Sequence, residues 1–178
     1  MAVRHFPAAP WPKALKVVSV LGAVVLLGAS IAAYCAVPVP TGFTHHFGIG
    51  IALVPVAIIL FSLLFMVTGY GVSATSLSVQ RPLWATEFGI NGLQSVSFEP
   101  GICKKSLRIF GNAGLFGFTG LYRNSSLGSY RLFGTDLACS VVLTCPNRKI
   151  VITPAEPAVF VEHMRRAFPH ANQPTPAF

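Results

Sequence analysis

Between Val17 and Gln80 the chain carries no Lys, Arg, Asp or Glu, and that absence limits what it can fold into more than any other feature. A water-soluble domain has charges at about one residue in four. Over the whole chain only 10% of residues are charged, against 53% hydrophobic, and the charges lie outside this window. Two different materials are joined, one suited to hydrocarbon and one to water.

Two apolar runs occupy the window. Residues 17–37 and 47–69 are each about twenty residues long, enough at ~1.5 Å per helical residue to cross a ~30 Å hydrocarbon core. Residues 47–68 contain fourteen Phe, Ile, Leu and Val. At roughly −0.3 to −0.6 kcal/mol each, these favour insertion by several kcal/mol. Pro55 in mid-run frees a backbone carbonyl and predicts a kink, which membrane helices tolerate. The connection from Pro38 to His46 is short, so the two helices run antiparallel as a transmembrane hairpin over residues 17–70. Gly22, Ala29 and Ala33 fall on one face of the first helix, where small residues let a second helix approach. His45 and His46 fall in the outer loop.

Orientation follows from the flanks. Arg4, Lys13 and Lys16 precede the hairpin, Arg81, Lys104, Lys105 and Arg108 follow it, and the loop between the helices has no Lys or Arg. Positive residues stay on the cytoplasmic side, so both termini are expected there, with residues 1–16 as a cytoplasmic tail. A cleaved signal peptide fits less well. The first run exceeds the usual 7–15 residues, and no A-x-A site follows it.

Beyond Tyr70 the pattern changes from helical to alternating. Strands are predicted at 75–80, 83–88, 93–99, 106–110, 130–135, 139–145 and 148–152, separated by Arg81-Pro82, Asn91-Gly92, Pro100-Gly101, Asp136 and Pro146-Asn147. Thr153-Pro154-Ala155-Glu156 has the form of a capping box, although Pro157 offers a start one turn later. Phe160, Val161, Met164 and Phe168 then form an apolar stripe at helical spacing. Arg165 and Arg166 fall in the last turn, where the helix dipole favours cations. Residues 71–168 thus read as one folding unit of about seven antiparallel strands closed by a C-terminal helix, and residues 169–178 as a disordered tail.

Three stretches carry a family resemblance: Arg108 to Gly120 with its spaced glycines, Gly128 to Asp136, and Ile150 to Pro154 with Phe160 in the helix that follows. Together they resemble the bacterial PH-like (pleckstrin-homology-like) domains over about residues 72–168. The resemblance implies a PH-like barrel capped by its last helix, tethered behind the membrane hairpin in a bacterial inner membrane. It also implies a binding or scaffolding role, with no catalytic residues to carry over.

The chemistry-bearing residues are few. Gly111, Gly114, Gly117 and Gly120 recur every third residue, yet neither GxxxxGK[ST] nor GxGxxG opening a helix is present. The segment is therefore read as a bent strand or a long loop. Leu115, Phe116 and Phe118 within it are core residues or an exposed, membrane-facing tip. The formal charge is +8, and Lys104, Lys105, Arg108, Arg123 and Arg131 form its main concentration in the soluble part. Against a membrane surface these are candidates to contact anionic lipid headgroups or a protein partner, since each nearby cation contributes about 1 kcal/mol. The plainer reading is a solvated face, as most charge clusters are. The order of stacking aromatics used by RNA-binding sheets is not evident, so nucleic acid is not expected.

Cys35, Cys103, Cys139 and Cys145 contain no CxxC pair and read as small buried hydrophobes. Lys104 next to Cys103 could lower that thiol's pKa, but no His is placed to use it. Adjacent His45 and His46 make no metal site by themselves. Neither cofactor nor metal is expected, and no catalysis. The reading is a membrane-anchored PH-like module at the cytoplasmic face, with the bilayer and a membrane protein or second copy of the chain as partners. Its competitor is an accessory subunit that acts through its hairpin within a larger membrane complex.

Overall fold

The computed structural model describes residues 3–37 and 43–172. The apolar runs form helices α1 (Lys13–Cys35) and α2 (Phe43–Leu64), packed side by side. α1 starts four residues before the apolar run because Pro12 takes the N-cap position in extended geometry and nothing from Lys13 to Lys16 opposes a helix. α2 ends at Leu64, five residues before the expected limit, because Gly69–Val72 is drawn into a β-sheet. It starts early enough to include His45 and His46, which therefore lie in its first turn and not in a loop. Residues 38–42 of the connection fall outside the described residues. At the helix contact, the Ser30 hydroxyl donates to the Ala52 carbonyl and Gly48 faces Val37. Gly22 serves a different contact from the expected one: a Cβ there would lie 3.1 Å from Leu115, outside the hairpin altogether.

The remainder is two sheets. β1 (Arg4–Pro7), β2 (Gly69–Val72), β3 (Ser76–Gln80) and β4 (Ala85–Gly89) form the first, in that order and antiparallel. The second has the order β5-β9-β10-β8-β7-β6. Its strands are β5 (Ser95–Phe98), β6 (Leu107–Ala113), β7 (Phe118–Asn124), β8 (Gly128–Gly134), β9 (Val141–Cys145) and β10 (Arg148–Ile152). Among the described residues only β8 and β10 pair in parallel. The expected closed barrel is not formed. The chain leaves one sheet after β4 and enters the other at β5, and the place beside β2 that closure would need is taken by β1, which comes from before the hairpin.

Apolar residues from both sheets meet in one core, including Leu77, Val79, Phe88, Phe133, Leu143, Ile150 and Ile152. Helix α3 (Pro157–Ala167) lies against β5 and sends Phe160, Val161 and Met164 into that core, so it closes a sandwich and plugs no barrel. It starts at Pro157, the later of the two expected positions, and the Thr153 hydroxyl caps nothing there but accepts from Thr135 N–H (2.9 Å). Residues 169–172, expected within a disordered tail, form a 3-10 turn with Ala171 buried. Residues 173–178 fall outside the described residues.

The segment expected as an N-terminal tail is part of the fold. Arg4 to Pro7 pair with Val72 to Gly69, and the next residues are held by Ala8 N–H to Thr68 O (3.2 Å) and Ala9 N–H to Thr153 O (2.8 Å). Phe6 meets Phe160 edge to face, with ring centroids 4.9 Å apart. Fully buried Tyr70 ties both sheets to this seam. Its hydroxyl donates to Phe133 O (2.8 Å) and accepts from Thr153 N–H (3.1 Å). Burial pushes the Tyr70 pKa up to about 12.

The glycine run resolves into a hairpin, with β6 and β7 as its arms and residues 114–117 as its tip. Gly111 and Gly120 face each other across it with φ +114 and +146. A Cβ on Gly120 would come within 2.1 Å of Phe110 O, and one on Gly111 equally close to Thr119 O, so backbone touches backbone here.

Four substitutions are tested in the full-length protein in detergent, each read by thermal or denaturant melting. Phe160→Ala costs about 3–5 kcal/mol. Phe6→Ala is also destabilising and is non-additive with Phe160→Ala, because the two rings share a contact; strict additivity would show that β1 is not packed on α3. Gly120→Ala costs about 1–3 kcal/mol through the strained φ and the clash with Phe110 O. Tyr70→Phe costs about 1–3 kcal/mol at neutral pH by leaving Thr153 N–H and Phe133 O without their partner. Tyr70 stays neutral in the folded state up to about pH 12, whereas in the unfolded chain it ionises near its ordinary value of about 10. Its contribution is therefore complete below pH 10 and is lost as pH rises towards 12. Tyr70→Phe should flatten that part of the alkaline stability curve.

Candidate functional site

The domain meets the hairpin at two places. The first is the β6–β7 tip. Ser19 of α1 donates to Gly114 O (3.2 Å) and accepts from Phe116 N–H (2.9 Å), Leu115 lies against Gly22, and Phe116 packs on Trp11 with centroids 6.0 Å apart. Ser19 and Leu15 are the buried residues of α1, both at this end of the helix. Leu115 and Phe116 are therefore neither core residues of the sandwich nor a free tip, but the contact with α1.

The second place is the end of α2. β3 and β4 are joined by Arg81-Pro82-Leu83-Trp84, a tight turn closed by Arg81 N–H to Trp84 O (2.9 Å). Proline with its fixed φ suits the second position of such a turn. The turn directs the Arg81 side chain to the helix end, where Nη1 donates to Phe65 O (3.1 Å). The guanidinium carbon lies 4.9 Å from the Phe65 ring centroid, 5.7 Å from that of Phe133 and 5.9 Å from that of Trp84. Arg81 is 9% exposed and its buried Nε has no hydrogen-bond partner. The one ion pair among the described residues is Arg166–Glu162, so no carboxylate neutralises Arg81. Burial lowers its pKa, although a guanidinium stays charged at any physiological pH. A buried cation without a counterion is costly, and aromatic faces and one carbonyl offset only part of that cost.

Beside Arg81 a groove of about 450 Å³ runs between the end of α2 and the β6–β7 arms, lined by Phe61, Ser62 and Phe65 on one side and Phe110, Asn112 and Thr119 on the other. Gly111 and Gly120 also line it. Phe110 is 78% exposed. A further hollow of about 390 Å³ shares Phe110 and Gly120 and continues to Leu121, Arg131 and Phe133. Beyond it, a cleft of about 640 Å³ is lined in part by Arg131, Arg148 and Lys149. Arg131 and Arg148 both stand over the Phe88 ring, at 5.7 and 5.9 Å. None of the three spaces has an Asp or Glu in its lining.

The five basic residues singled out in the sequence are divided by the sheet. Arg108 pairs with Tyr122 and shares its face, whereas Arg123 and Arg131 align with Leu107 and Leu121 on the opposite face. Lys104 and Lys105 are exposed in the turn before β6. Arg108 is six residues from the tip that touches α1, about 20 Å along an extended strand. Arg131 is the member that reaches the groove system. Arg81 and Phe110 were not marked as site residues in the sequence. The signal was an arginine directly before Pro-Leu-Trp, and it reads only as a turn until α2 is seen to end beside it.

On the Tyr122 face, Cys103 is buried with Tyr130 and near Ser140. Burial raises the Cys103 pKa, in keeping with its reading as a small buried hydrophobe and not as a thiol lowered by Lys104. The other thiols vary: Cys145 is buried, Cys139 half-buried and Cys35 exposed on α1. No group of three or more His, Cys, Asp or Glu able to hold a metal occurs among the described residues.

A family model described as a bacterial PH domain matches residues 68–168, more than half of the chain. No curated protein and no solved structure matches it. With its sandwich, its C-terminal helix and this match, the chain belongs to the bacterial PH domain family.

Proposed function

We propose that this protein is a non-catalytic binding module held at the cytoplasmic face of a bacterial inner membrane by its two-helix hairpin. The observation that carries the reading is the β1–β2 pairing, which brackets the hairpin: residues before α1 and after α2 are neighbours in one sheet. A chain that enters and leaves an apolar excursion through the same sheet has both flanks on one side of whatever the excursion crosses. The helices themselves support a bilayer. At about 1.5 Å per residue, α1 and α2 are each some 33 Å long. Their large apolar side chains stand exposed, among them Leu21, Val25, Ile31, Phe47, Leu60 and Phe61. A soluble protein rarely leaves such a surface to water.

The binding role rests on family membership and on the three connected hollows, whose linings hold apolar and basic side chains with no carboxylate and no histidine. Lys104, Lys105 and Arg108 are, in this reading, contacts for a protein partner in the cytoplasm, because Arg108 lies about 20 Å along β6 from the α1 contact and the two lysines lie in the turn before that strand. Arg123 and Arg131 belong to the opposite, groove-bearing face.

Topology is tested in intact cells with cysteines placed one at a time in a Cys-free background. Thr44→Cys should react with an impermeant thiol reagent, and Ser125→Cys should react only after the cells are opened. The reverse pattern would invert the orientation, and reaction at both positions in intact cells would remove the membrane reading.

A further inference from the structure

The groove beside Arg81 has features that a solvated surface hollow does not need. It begins at the last turn of a helix apolar enough to span a bilayer, it continues that helix's aromatic surface through Phe61, Phe65 and Phe110, and it is flanked by a buried arginine that no carboxylate neutralises. Its volume falls within the ~300–1,000 Å³ of small-molecule sites. Hydrocarbon meets a fixed cation there, and an amphiphile with an anionic head has that same order of parts.

We propose that this groove holds one anionic phospholipid, with the phosphodiester at Arg81 and the first part of an acyl chain against Phe61, Phe65 and Phe110. The inference rests on the membrane-anchored reading above, because α2 must end at the headgroup level for a lipid to enter sideways. Three points favour this occupant over a peptide or a second copy. The charge is complementary: Arg81 lines the groove, Arg131 lies in the adjoining hollow, and no acidic residue is present to receive the ammonium of a zwitterionic headgroup. The groove is continuous with the lipid-facing surface of α2 at Phe61. Its polar groups are few, Ser62, Asn112 and Thr119, which suits a headgroup with one anionic centre better than an extended backbone that needs a ladder of partners.

Native mass spectrometry of the full-length protein, released from a nonionic detergent with equal amounts of phosphatidylglycerol and phosphatidylcholine, tests this. The expected result is a single retained adduct, with phosphatidylglycerol favoured at least tenfold. Phe110→Ser should cut retention at least fivefold without moving the melting temperature, since that ring is 78% exposed. Arg81→Gln should remove the preference for the anionic lipid. A Lys104→Gln, Lys105→Gln, Arg108→Gln triple variant should behave as wild type. Equal retention of both lipids, retention unaffected by Phe110→Ser, or a lipid-free dimer broken by Phe110→Ser would each overturn the proposal. The cysteine labelling reads anchoring separately: correct topology without a selective adduct sinks only the lipid site, and failed insertion sinks both.

Discussion

The antiparallel pair β1–β2 is the interaction on which the rest of the structure depends, because it joins residues separated by the whole hairpin. Closing a flexible loop of roughly sixty residues costs about 3–4 kcal/mol on the scale of (3/2)RT ln n. A four-residue strand at a sheet edge offsets that poorly by itself. Phe6 against Phe160 and the hydrogen bonds of Ala8 and Ala9 to Thr68 and Thr153 supply the remainder. In a bilayer most of the closure is already done, since two antiparallel helices bring their outer ends together before the sheet forms. Hairpin and sheet are therefore mutually dependent: each delivers the chain ends in the arrangement the other requires.

The same constraint limits how the β-domain can move. A domain on one flexible linker would pivot. This one is fixed by the β1–β2 seam, by Ser19 on the β6–β7 tip, and by Arg81 on the Phe65 carbonyl just beyond α2. Three separated contacts define an orientation, and they set Phe110 beside the end of α2, whereas Lys104 and Lys105 line no part of that groove. What distinguishes the two basic groups is thus position relative to the helices, with the sign of their charge the same.

The hairpin and the β-character of the second half were legible in the sequence because each rests on local pattern: charge absence over a long window, and alternation between turn residues. β7 was hidden because glycine at every third position masks a period of two, and the mutual approach of Gly111 and Gly120 that explains it is a cross-strand fact. β2 was absorbed into the end of α2, since Val67 to Val72 is apolar under either period. β1 could not be found at all. Four residues ahead of a long apolar run become a strand only through a partner that follows the run. The division of the basic residues was equally out of reach, because parity along β6 changes at the Ile109 bulge and no sequence pattern announces it. Arg81 was visible as a charge and as a turn residue, but its burial was not.

The structural role of Arg81 and the binding role proposed for it need not compete for one side chain. The carbonyl end of a helix carries roughly half a negative charge, so a cation there is stabilising whatever else it does. A lysine would satisfy that condition as a point charge. A guanidinium presents five donors in a planar fork, and the bond from Nη1 to Phe65 O uses one of them. The aromatic rings of Phe65, Trp84 and Phe133 hold the fork in place without using its hydrogen-bonding edge. The arrangement fixes a cation at the end of an apolar helix, dry and oriented, with donor capacity remaining. A residue needed only to cap α2 would not require that burial, because the same carbonyls at a helix end are satisfied by water wherever the end is exposed.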